Sequence, residues 1–440
     1  MPALRLALAT VCAVTVSHHA PPGWRLRYVD LHVTLLPDTR AIRGEARLFV
    51  APTTGTPGEL ILDLSDSMTV DSVSTHTFQR TTGAVHIPVP AHGIIGIWYH
   101  GTPSSRALAF TDHGGVIRVA SYGLPNSARE WWPTLDDPSQ KADSADIRVT
   151  APTALRVASN GRLVARVQHD NGTTTTHWSV RYPIYSDVIS IAAADYVVRQ
   201  GVFPSRGGTA VPLTFFVFPE DSTHADSDFT VVPRELAFME SILGPYPFAR
   251  EKYGIAEFAR KSFREHQTLP SFGAAFITGT HDNDQIIAHE IAHQWFGNSV
   301  TLARWSDIWL NESFAEYMAW RWIRADRGDS AFARLVDEAR GKVYHGSLAH
   351  ADSGGFATMF GDLTFEKGPL VLVSLEALIG KRAMDAALAD YVRTHAYGLA
   401  SQQDFIAACE RQYHHPLGAI VDEWVQRSDN PSSHDHQGPR

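Results

Sequence analysis

The spacing of apolar residues changes once along this chain, and that change limits what it can fold into. From Trp24 to about Ala210, short β-rich runs such as WRLRYVDLHVTLLP, GEARLFVAP, GIIGIWYH and ADIRVTAP alternate apolar with polar residues, separated by Gly, Pro, Asp and Ser. SNGR and DNG read as tight hairpin turns. After TFFVFPEDS, apolar residues recur every three or four positions through RELAFMESILG, FARLVDEARGKVYH, PLVLVSLEALIG, RAMDAALADYVRTHA, SQQDFIAACERQYH and LGAIVDEWVQR. Gly or Pro stands near the ends of these runs, as helix termini require. No fixed-period repeat relates the halves. The expected fold is therefore α+β and multidomain: an N-terminal antiparallel β domain, saddle or sandwich, over residues 21–210, then a mainly helical domain over 211–430. The polar stretch 431–440 needs no fold.

A chain of 440 residues can bury two or three cores, and its 44% hydrophobic and 19% charged residues exclude a disordered or fibrous class. The formal charge is −9, with no run of basic residues longer than two, so nucleic acid is not an expected partner. The two cysteines, Cys12 and Cys409, lie almost at opposite ends and exclude a disulfide framework. Residues 1–20, MPALRLALATVCAVTVSHHA, have one arginine, an apolar run and then small or polar residues. They resemble a secretory signal peptide, which implies a periplasmic or secreted protein; if the segment is retained, the chain is cytoplasmic. No other stretch is apolar for long enough to span a membrane.

The chemistry gathers at HEIAHQWFG. His289 and His293 stand four apart, on one face of a helix, so both imidazoles can reach one ion. Glu290 is turned slightly aside, where it could take a proton from water at that ion. A catalytic zinc needs three protein ligands and one open position. Glu312, in WSDIWLNESFAEYMAWRW, supplies the third if its helix crosses the first. Glu316 lies one turn beyond, as a partner to a ligand or a plain surface residue, and Asp307 and Asn311 could also orient ligands. Iron or manganese would fit the same atoms, but zinc is the usual occupant of this spacing.

HEIAHQWFG and WSDIWLNESFAEY resemble the zinc-binding segments of the aminopeptidase N family of zinc metallopeptidases. REWWPTLDDPSQKADS is similar to that family's Arg-x-Trp-x-Pro-x-x-Asp-x-Pro-x-x-Lys-Ala segment. The resemblance covers about residues 24 to 430, a short form without the family's large C-terminal helical domain. It implies a β domain followed by a thermolysin-like helical catalytic domain, one zinc per chain held by His289, His293 and Glu312, and Glu290 as base. It also implies substrates that are peptides with a free N-terminus.

Two departures stand out. Where the family has Gly-x-Met-Glu-Asn, this chain reads KSFREHQTLPSFG. The resemblance makes Glu265 the residue that binds the substrate's amino group, with Arg264 in the place of methionine and His266 in that of asparagine. Arg264 either pairs with Glu265 and blunts it, or points away. Where the family has Tyr-x-Lys-Gly, with a phenol that donates to the oxyanion, this chain has Phe365, which cannot donate. Tyr344, Tyr317 or Arg264 could replace that donor, and Tyr122 and Asn126 are polar candidates near the amine pocket. Three readings follow: a zinc aminopeptidase, a zinc endopeptidase or other hydrolase, and a zinc-bearing binder of peptides or a partner with little turnover. No sequence pattern marks the oligomeric state or the preferred first residue.

Overall fold

The computed structural model describes residues 23–53, 58–88, 93–123, 125–349 and 359–427. The expected signal segment, 1–20, and the tail, 431–440, lie outside them. The first half is built on a seven-stranded sheet, in the order Arg162–Gln168, Thr173–Val180, Ser144–Pro152, Trp24–Leu36, Ala41–Pro52, Gly93–Gly101, Met68–Val73. Neighbours run antiparallel except Trp24–Leu36 and Ser144–Pro152, which are parallel. The period-two pattern does what it should: Val29, Leu31, Val33 and Leu35 are buried, while Asp30, His32 and Thr34 between them are only partly covered. A four-stranded sheet (Arg156–Ser159, Ile191–Ala194, Val116–Ser121, Leu108–His113) contributes to the same core, with Trp131 and Trp132. The DNG turn closes a hairpin between Arg162–Gln168 and Thr173–Val180. SNGR does not: Arg156–Ser159 and Arg162–Gln168 belong to different sheets, and Asn160 and Gly161 carry the chain between them.

The boundary expected near residue 210 falls inside a hairpin, Val197–Pro204 and Ala210–Val217. That hairpin continues into Tyr253–Phe258, Ser271–Gly273 and Phe263–Arg264 as one five-stranded sheet. Sheet continuity thus puts the change of unit before Val197, and the second half begins with a mixed sheet before it becomes helical. Phe216 and Ala256 of this sheet, with Phe218 and Leu269 beside its strands, pack into the first half's core, so the two halves share apolar contacts.

The helices are α1 (Ser222–Asp228), α2 (Val232–Leu243), α3 (Asp284–Ala292), α4 (Trp309–Arg327), α5 (Asp329–Arg340), α6 (Gly368–Ile379), α7 (Lys381–His395), α8 (Gln402–Tyr413) and α9 (Gly418–Gln426). Helices α2, α3, α5 and α6 pack against α4, which is buried at every position from Trp309 to Ile323. Ser401 caps α8 through a reciprocal capping box with Asp404. A π-helical turn, Leu363–Lys367, runs directly into α6. Where α6 begins, a Cβ on Gly368 would stand 1.9 Å from Ser313 Oγ, so only glycine lets α6 approach α4 this closely. No helix among the described residues is long and apolar enough to cross a membrane.

Candidate metal centre

Helix α3 carries His289 and Glu290 in its last turn, and His293 follows with helical backbone angles. Glu312 sits in the first turn of α4. The two Nε2 atoms lie 2.9 Å apart, and Glu312 Oε2 is 3.4 Å from that of His289 and 3.3 Å from that of His293. The outer nitrogens are occupied: His289 Nδ1 is 2.9 Å from Glu316 Oε2, and His293 Nδ1 is 3.1 Å from the Phe296 carbonyl oxygen. A carboxylate and a carbonyl only accept, so each Nδ1 carries the proton and each Nε2 turns a lone pair inward. With neutral imidazoles, three buried acceptors face one point and need a cation between them; without a metal, and against the effect of burial, Glu312 raises the affinity of both imidazoles for a proton in its place. Zinc arms of about 2.0–2.1 Å give a tetrahedron with edges of about 3.3–3.4 Å, which the two distances to Glu312 match while the 2.9 Å between the imidazoles is shorter. The donor set fits zinc.

Glu316 does more than hold His289. Its Oε1 accepts from Gln285 Nε2 and Trp320 Nε1, both at 2.7 Å, so three donors fix one buried carboxylate. Asn311 is buried against Gly297, where a Cβ would meet its side chain at 3.3 Å and His293 Nδ1 at 3.4 Å. Asp307 lies 3.5 Å from Arg304, in the turn leading to α4. Glu290 is buried, and its Oε2 has no hydrogen-bond partner among the described residues. Burial pushes its carboxyl up to about 7, against the pull of His289 and His293.

Arg264 ends an edge strand, and Glu265 follows it out of the sheet. Among the described residues the two form no ion pair; the Arg264 guanidinium lies 4.2 Å from the centre of the Tyr122 ring. Phe263, just before Arg264, has its ring centre 6.4 Å from that of His289, which sets the strand beside the metal centre, and, against burial, the carboxylates of Glu265, Glu312 and Glu290 favour the charged guanidinium. His266 is buried, 3.0 Å from Ser271 Oγ, with its Nε2 against Gly123 of the first half. Burial, then Arg264, pushes this imidazole down to about 3, so it stays neutral.

The segment REWWPTLDDPSQKADS acts as a strap. Arg129 binds Asp136 at 2.7 Å and Asp63 at 3.0 Å within the first half. Lys141 crosses into the second, donating to the carbonyls of Asn298 (2.8 Å) and Ser299 (3.1 Å) and to Thr301 Oγ1 (2.9 Å). Asn298 in turn donates to the Glu265 carbonyl at 2.7 Å. Asn160 reinforces the join through the Gln267 carbonyl at 2.6 Å, and Gly161 N–H through Thr268 Oγ1 at 2.8 Å. The loop after α3 and the segment bearing Glu265 are thereby fixed from the first half. Sequence reading took this segment as a family mark and gave Lys141 no task.

Phe365 lies in the π-helical turn with its ring centre 5.9 Å from that of His289. The Thr364 carbonyl in that turn accepts from Ser313 Oγ at 2.6 Å, which ties the turn to the residue after Glu312. Neither tyrosine considered as a replacement is free: Tyr317 donates to Glu376, and Tyr344 to the Ala339 carbonyl at 2.7 Å. Tyr122 shares a hydrogen bond of 2.6 Å with Ser262 Oγ, and Asn126 accepts from Arg129 at 3.4 Å. Tyr185, which sequence reading passed over, pairs with Lys141 in a two-residue ladder. Burial first, then the charges of Glu265, Asp187 and Glu312, holds its phenol well above the ordinary value.

Comparison with known proteins agrees with this geometry. The model of the Peptidase M1 N-terminal domain matches residues 27–186, and that of the Peptidase family M1 domain matches residues 262–424. Glutamyl aminopeptidase of Bos taurus is 25% identical over 349 residues, 74% of this chain and 35% of that protein. Aminopeptidase M1 of Arabidopsis thaliana is 25% identical over 369 residues, 77% of this chain and 41% of its own. The chain thus spans about a third to two fifths of the length of these relatives. The crystal structure of an M1 zinc metallopeptidase variant from Deinococcus radiodurans, bound to a Tyr-Ser-Ala substrate, superposes with a TM-score of 0.78 at 22% identity, over 93% of this chain and 96% of that one. With matching models for both halves, and a two-histidine, one-glutamate centre where the second model lies, the chain belongs to peptidase family M1.

Proposed function

We propose that the chain is a zinc aminopeptidase that removes the first residue of peptides. The observation that carries this reading is the convergence of His289, His293 and Glu312 beside two carboxylates without a metal to hold, Glu290 and Glu265. Zinc held by the three ligands would supply Lewis acidity, polarising a peptide carbonyl and lowering the pKa of water. Glu290 accepts the proton of the attacking water at its unpartnered Oε2 and returns it to the amide nitrogen as the C–N bond breaks. Glu265 holds the substrate's α-ammonium, which sets the first peptide bond in register with that base. Glu316 keeps His289 in the tautomer that turns Nε2 inward.

Phe365 favours a second reading, a zinc-bearing binder with little turnover. Its ring stands beside His289 and offers no hydroxyl to the oxyanion, and loss of one such donor costs about 2.7–4 kcal/mol, roughly a hundred- to thousandfold in rate. The expected enzyme is therefore slow. The deciding assay compares amino-acid anilides with their N-acetylated forms. The aminopeptidase reading expects hydrolysis of the free amine alone, abolished by Glu290→Gln with zinc retained. Equal rates on both would favour an endopeptidase, and none on either would favour the binder. We also propose that the protein acts outside the cytoplasm, because its first residues have the texture of a signal. The intact mass of the native product should then begin near residue 20, and a full-length cytoplasmic product would refute this.

A further inference from the structure

Three arginines drawn deep into this chain hold carboxylates; among the described residues Arg264 and Arg260, both half-buried against the Tyr122 ring, do not, and Arg260 donates instead to the Ser105 carbonyl. Arg118 binds Asp195 and Glu220, Arg129 binds Asp63 and Asp136, and Arg321 reaches Asp385 and Glu376. Arg264 is half-buried beside the metal centre and, among the described residues, has no carboxylate within ion-pair distance. Its Nη1 donates to the Phe263 carbonyl at 3.1 Å, its Nε is buried without a partner among the described residues, and its guanidinium carbon lies 4.2 Å from the centre of the Tyr122 ring. A guanidinium half removed from water with its Nε unsatisfied is costly, and a carboxylate arriving from outside would meet it with charge-assisted hydrogen bonds.

The neighbouring residue shows where such a carboxylate would come from. Glu265, proposed to hold the α-ammonium, is next in sequence and near enough for its charge to act on Arg264 without pairing with it, so the site presents both a negative and a positive group. An N-terminal aspartate or glutamate carries the matching pair, an α-ammonium and a carboxylate a few bonds away. A lysine or arginine side chain would meet like charge, and a leucine would leave Arg264 unfilled. We infer that Arg264 forms a carboxylate-binding subsite beside Glu265, and that the first residue this chain takes is aspartate or glutamate. The inference rests on the aminopeptidase reading above and adds its substrate class.

The test needs no turnover. Free L-glutamate, L-aspartate, L-leucine and L-lysine all carry the same α-groups, so calorimetric titration of the zinc-loaded full chain isolates the side chain. The acidic pair should bind at least about tenfold more tightly than the others. Arg264→Met should abolish that preference and improve leucine, Arg264→Lys should keep part of it, and kcat/KM for glutamyl against leucyl anilide should follow the same order. Equal binding of glutamate and leucine by the unaltered chain would overturn the inference without any variant having to fold. So would an Arg264→Met variant that slows every substrate alike, since that would make Arg264 an oxyanion donor. Glu265→Gln separates the two readings: it should weaken all four amino acids equally. If it does while the acidic preference is absent, only the subsite falls. If it changes nothing, or no amino acid binds, the aminopeptidase reading falls and the subsite with it.

Discussion

Replacing Glu316 by glutamine tests whether the metal centre depends on a residue that touches no metal. The carboxylate divides its work: Oε2 faces His289 Nδ1, and Oε1 faces Gln285 and Trp320. Glutamine has the same shape but a single oxygen. If that oxygen stays with Gln285 and Trp320, the amide N–H₂ is turned on His289 Nδ1, and the imidazole must take its proton at Nε2, which removes the lone pair that faces the ion. If the oxygen stays with His289, the N–H₂ meets the indole N–H of Trp320, which cannot turn round. Either arrangement weakens the site, and a tenfold to hundredfold loss of zinc affinity is expected, about 1.4–2.7 kcal/mol. Glu316→Ala would be a poorer probe, because it strands three buried donors at about 1–3 kcal/mol each and confuses stability with affinity. Competition against a chromophoric chelator measures the zinc constant, and thermal unfolding of the zinc-free forms monitors the fold. Unchanged zinc affinity in Glu316→Gln would refute the tautomer argument, whatever happened to stability.

Phe365→Tyr should raise kcat on unblocked anilides, by up to about a hundredfold, with little change in KM, since an oxyanion donor acts mainly in the transition state. A flat or lower rate alongside substantial turnover by the unaltered chain would mean that another group already fills the position. Glu257 gives a prediction about pH: burial, then its hydrogen bond with Asp221, pushes its carboxyl up to about 9, and Oε1 has no partner. A folded pKa above the unfolded value of about 4.3 means the folded chain holds the extra proton, so this stability is fully present below that pH and is lost as pH rises through about 9. Glu257→Gln, which cannot ionise, should match the unaltered chain near pH 4 and exceed it increasingly towards pH 9, by at most about 6 kcal/mol. A difference in melting temperature that does not vary with pH would contradict this.

What the sequence made legible was whatever a short-range period can carry. His289 and His293 lie four apart, and the same spacing links Glu312 to Glu316, so helical geometry alone brought each pair to one face. The change of period likewise separated a strand-rich half from a helical one. The five-stranded sheet escaped because Tyr253–Phe258 is buried at every position and so shows no alternation, while its neighbours Phe263–Arg264 and Ser271–Gly273 are too short to show a period. SNGR misled for a related reason: a glycine at positive φ marks a turn, here Gly161 at 75°, but not which sheet each arm will join.

The residues whose tasks stayed hidden are those that meet a partner far along the chain. Lys141 reaches the Asn298 carbonyl across 157 positions, Asn160 reaches Gln267 across 107, and Tyr122 reaches Ser262 across 140. Each joins the first half to the segments that carry Glu265 or follow His293, and no local pattern encodes such a pairing. Arg264 shows the consequence. From sequence it either paired with Glu265 or turned away, and what decides the matter is Tyr122, which receives the guanidinium on its ring and leaves Glu265 free. The ligands of the metal could be read from the spacing of two helices. The charge pattern beside them could not, because it depends on an aromatic ring that the first half supplies.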